Sequence, residues 1–77
     1  MEGKNKYVGH SIWEVNFSIP GLLGDKAKEC HVATKSESIL DAAARAASLK
    51  KRIAADYGVA VNDIKIASID HLCTIDA

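Results

Sequence analysis

The sequence predicts an α+β domain in the order β-β-α-β: a three-stranded sheet, strand order 2-1-3, with one helix packed on one face. Three observations predict it. Apolar and polar residues alternate from Trp13 to Ile19 and again around Cys30 and Val32, the period of a half-buried strand. Apolar residues recur at three- and four-residue steps from Ile39 to Tyr57, the period of a helix. Length limits the rest. A chain of 77 residues makes one domain, with room for one layer of side chains between a sheet and a helix.

The polar start, residues 1–6, reads as a flexible tail, and the domain is expected to span 7–77. The first strand runs from about Tyr7 to Ile19. Pro20-Gly21 ends it, since Pro has no N–H to donate and Gly accepts turn conformations. A second strand, about Ala27 to Thr34, follows the loop 20–25 and makes a hairpin with the first. Ser38 can cap the helix, with Asp41 three residues on and Ser36 as an alternative cap. Ile39, Ala42, Ala43, Ala46, Leu49, Ile53 and Tyr57 share the expected buried face, and the alanines allow a close approach to the sheet. Gly58 suits a left-handed helix end, with Val59 folding back on the last turn.

The third strand is expected from about Asp63 to Ile75, and its pattern changes phase. Ile64 and Ile66 fall on one face; Ile69, Cys73 and Ile75 fall on the other. Either a bulge near Ala67-Ser68 restores one core face, or both faces carry apolar residues. A right-handed crossover places this strand beside the first and antiparallel to it.

Ten basic residues balance ten acidic ones. Zero net charge argues against a dedicated nucleic-acid binder and against a polybasic membrane anchor. No apolar run has signal-peptide or transmembrane length, so a cytoplasmic protein is expected. Two cysteines are too few for a disulfide framework. The chain shows no phosphate loop, nucleophile elbow or paired-histidine helix, and hardly has room for a pocket of ~300 Å³. We therefore expect no enzyme and no cofactor. Cys30, His31, His71 and Cys73 raise a zinc reading, with His71 and Cys73 two apart on one strand face. The set lacks a Cys-x-x-Cys pair, and no metal site is expected.

The expected partner-binding residues are Val8, Ile12, Ile69 and Ile75, which fall out of phase with the core, and Leu22 and Leu23 in the first loop. The former would form an apolar patch on the sheet face that the helix leaves bare, or a bulge would turn them into the core. The latter would form an exposed hook, or fold over the helix end. Arg45, Lys51 and Arg52 are the residues for an alternative reading, weak nucleic-acid binding by the helix.

The stretch Val15-Asn16-Phe17-Ser18-Ile19-Pro20-Gly21, with a later Ser/Asp-capped alanine-rich helix, resembles the N-terminal part of HicB-type antitoxins. Those have a strand ending in a Pro-Gly turn and then a helix, within a partial RNase H-like fold that binds a toxin. Here an extra strand intervenes and no DNA-binding segment follows. The size and β-β-α-β plan are similar to those of small phage-encoded accessory proteins, anti-CRISPR inhibitors among them. Both resemblances imply a protein that acts by occupying a partner's surface. The expected function is thus a non-enzymatic protein-binding module, an inhibitor or accessory factor that also forms a homodimer.

Overall fold

The computed structural model describes residues 8–75; the expected tail, Tyr7 and residues 76–77 lie outside the described residues. Strand β1 (Ser11–Ile19) and strand β2 (Lys26–Thr34) form the hairpin. Helix α1 (Ile39–Tyr57) crosses over, a short 3-10 turn (Val61–Asp63) follows, and strand β3 (Lys65–Thr74) returns. The sheet order is β2-β1-β3, with both pairings antiparallel, as the sequence predicts.

Alternation along β1 sorts the sheet into two faces. Trp13, Val15, Phe17 and Ile19 are buried on the side of α1. Val32 from β2 and Ile64 just before β3 join them, with Ala42, Ala46, Ile53 and Ala54 of the helix. Ala42 and Ala46 are fully buried, so the absence of larger side chains there brings the helix axis close to the sheet. The ends of the predicted helix stripe depart from it. Ile39, in the first turn, is 57% exposed and Tyr57, in the last, 41%; the buried helix residues all lie between Ala42 and Ala54.

The helix starts as its sequence prescribes. Ser38 is extended, and its hydroxyl accepts from the Asp41 N–H at 3.4 Å. The Asp41 carboxylate does not complete the reciprocal box. It accepts from the Ser36 hydroxyl at 2.8 Å and so ties the cap to the preceding loop. Gly58 takes φ 68°, and the Val59 N–H reaches back to the Ala54 carbonyl at 3.1 Å. Val59 then packs against the core.

β3 follows its predicted bulge and adds another. Phe17 pairs with Ile66 and Asn16 with Ser68, so Ala67 is the extra residue. Trp13 pairs with His71 and Ile12 with Cys73, so Leu72 is extra as well. The first bulge turns Ile69 to the helix side, opposite Val15, where it packs against the core. Ile69 is therefore a core residue and does not belong to a bare-face patch.

The core ends in a row of hydroxyls. Thr34, Ser11 and Thr74 lie side by side across β2, β1 and β3, and Ser11 and Thr34 are buried. Each hydroxyl is satisfied. The Trp13 indole N–H donates to Thr34 Oγ1 at 2.9 Å, the Thr34 hydroxyl donates to the Ser36 carbonyl, and Ser11 and Thr74 bond each other at 3.3 Å.

Candidate interaction surfaces

The bare face of the sheet is built in rows by the register of three strands. Ala33, Ile12 and Cys73 make one row. His31, Glu14 and Asp70 make the next, and Glu29, Asn16 and Ser68 the one after. The apolar part is thus one row at one end, with half-buried Ile12 and Ile75. Val8 is 41% exposed beside it, in the turn before β1. Charged and amide groups fill the middle. Asn16 donates to Ser68 Oγ at 3.1 Å and lies 3.5 Å from Glu14. This face is polar enough to stand in water, and it does not carry the continuous apolar patch that the phase change suggested.

The tip of the hairpin does expose apolar surface. The Gly24 N–H donates to the Gly21 carbonyl at 3.2 Å, so Gly21-Leu22-Leu23-Gly24 is a tight turn. Leu22 and Leu23 hold its two apical positions and are fully exposed. Glycine is required at the first corner, where a Cβ would stand 2.7 Å from the Gly24 carbonyl oxygen. Gly24 takes φ 122°, a conformation open to glycine. Apical turn positions usually hold Gly, Asn, Asp or Pro. Two leucines there cannot reach the protein's own core, so they do not fold over the helix end. Tyr57 borders the same recess and extends the apolar surface.

The basic residues of the helix separate. Arg45 and Arg52 are two turns apart on one side, facing a run of shallow recesses along β2. Lys51 lies on another side and is exposed. Asp41 and Asp56 stand four residues before Arg45 and four after Arg52 in the same recesses. The acids interleaved with the arginines weaken the field that a phosphate backbone would need.

The zinc reading fails on geometry. The Leu72 bulge puts His71 on the helix side and Cys73 on the bare face, although they are two apart. Cys30 and His31 likewise face opposite ways. The structure instead brings together Glu14, Glu29 and His31, whose ligand atoms lie within 4.8 Å of one another. Register alone assembles this group, since Glu14 pairs with His31 and Glu29 is two residues away on the same face. Glu29 and His31 are exposed and already 3.8 Å apart as a weak pair.

A hydroxyl and an acid also meet at His71. Glu37 and Thr74 approach His71 at 3.9 and 3.5 Å, but both at Nε2. A relay needs acid and hydroxyl on opposite ring nitrogens. His71 packs edge-on against Trp13, with ring centroids 4.9 Å apart, and shields the indole.

Among the described residues no helix is long and apolar enough to cross a membrane. Comparison with family models, with curated proteins and with solved structures finds no match.

Proposed function

We propose that this chain is a non-enzymatic protein-binding module whose contact point is the Leu22-Leu23 turn. The carrying observation is the pair of fully exposed leucines at the apex of a glycine-bracketed turn, beside Tyr57. Burial of each leucine against a partner is worth about 1.5–3 kcal/mol, and the turn already holds them in place, so little ordering cost opposes binding. The finer reading is an inhibitor or accessory factor of the kind phages encode, which works by covering a partner's surface. Arg45, Lys51 and Arg52 support nucleic-acid binding less well, because Lys51 diverges and acids flank the arginines.

The test is a comparison of proteins captured from source cells by the wild type and by a Leu22→Ser, Leu23→Ser variant. The variant should keep the wild-type circular dichroism spectrum and lose the captured partner. An identical set of captured proteins for both chains would remove the turn as the contact point.

A further inference from the structure

The two edges of the sheet differ in a way that singles out β2. Its nine residues pair with β1 in unbroken register, so its outer edge is straight and its outward backbone groups form a regular template. β3 is bulged at Ala67 and Leu72, which breaks the template on that side. We propose that a second copy of this chain pairs antiparallel along the β2 edge, about a two-fold axis through Cys30.

Symmetry narrows the register. Two identical antiparallel strands side by side are related by an axis normal to the sheet, which passes through a residue and its own copy. Centred on Cys30, the middle of β2, the pairing uses all nine residues. Glu29 of one copy then faces His31 of the other, twice. Ala27 faces Ala33, Lys28 faces Val32, and Lys26 faces Thr34. No like charges oppose each other. Centring one residue earlier would set Glu29 against Glu29, and one residue later His31 against His31, each with a shorter overlap. Both helices lie on the same face of the joined sheet. Cys30 shares its recess with Leu49, Arg52 and Asp56, so the axis passes this level of α1. The antiparallel relation sets the Arg45 end of one helix toward the Asp56 end of the other. The Leu22-Leu23 turn lies outside the paired strand, so this self-pairing stands apart from the proposed contact point.

The test uses Cys30 as a reporter and charge as a switch. Residues directly opposite in an antiparallel pair have Cα atoms about 4.5 or 5.5 Å apart, and both separations suit a disulfide. With diamide as oxidant, accepting the two thiol hydrogens as the S–S bond forms, Cys73→Ser should give a covalent dimer on a non-reducing gel. Cys30→Ser should not. By light scattering the wild type should be a dimer. His31→Glu should weaken it by about tenfold, since two opposed pairs are lost at once. Glu29→His combined with His31→Glu should restore it, with circular dichroism confirming the fold throughout. A wild-type monomer at high concentration, cross-linking that persists in Cys30→Ser, or a double variant as weak as His31→Glu would each overturn the proposal.

Discussion

β2 and β3 flank the same central strand, yet one edge is straight and the other is broken twice. The difference follows from what each strand does for the core. β2 gives the core Val32 as its one buried apolar residue, with half-buried Cys30 beside it, and plain alternation suffices. β3 must bring Ile66 and Ile69 to the helix side, an odd spacing that alternation cannot serve. One extra residue at Ala67 solves the packing and roughens the edge together. A single local device therefore serves the core and guards against unwanted pairing.

The largest expected effect tests whether both edges depend on the shared strand. Phe17 is buried between Lys28 of β2 and Ile66 of β3 in register. Phe17→Ala should cost about 3–5 kcal/mol in urea denaturation, most of the stability of a domain this small. Amide protection should fall together in β2 and β3; loss confined to one edge would show that the other holds independently. A smaller effect acts on the β2 side alone. Thr34→Val leaves the buried Trp13 indole N–H without its acceptor and should cost about 1–3 kcal/mol. Trp13 is the single tryptophan, so the exchange rate of its indole proton reads the change directly. A rate equal to the wild type would mean that another acceptor takes over.

The smallest effect on stability sharpens the comparison most. Deletion of both Ala67 and Leu72 leaves every other β1–β3 partner unchanged, because each is the supernumerary residue of its bulge. Stability should change by no more than about 1 kcal/mol, while β3 becomes a second straight edge. Light scattering should then show assemblies larger than the wild type's that survive His31→Glu. An unchanged oligomeric state would mean that the bulges do not guard the edge.

Much of this architecture was legible in residue spacing. The alternation in β1, the Ser38 cap and the Gly58 terminus follow from local rules and the strand order from the handedness of the crossover, and the structure shows them. The Ala67 bulge was legible as one of two alternatives, because Ile64, Ile66 and Ile69 demand a phase change. The Leu72 bulge was not, since His71 and Cys73 are polar or small and reveal no preferred face. Ile39 and Tyr57 fit the helix period but lie outside the buried stretch from Ala42 to Ala54, and periodicity carries no information about how far the core extends along the helix. The Glu14, Glu29 and His31 group needs the hairpin register, which depends on where the turn sits within the loop 20–25. The exposed leucines needed the same knowledge: the sequence left them either hook or core, and the Gly21–Gly24 bond decides it.

The strand at the centre of this sheet is also the first of the three along the chain. β2 returns to β1 across a short loop, so the hairpin closes over local contacts and can form early. β3 meets β1 only after α1 and the 3-10 turn, with Ser11 and Thr74 sixty-three positions apart. During folding, the apolar strand β1 thus carries an open inner edge until the last strand arrives. The vulnerable interval is one of time rather than of place. Refolding yield should be governed by how fast the helical crossover delivers β3, and dilution should protect the chain until it does.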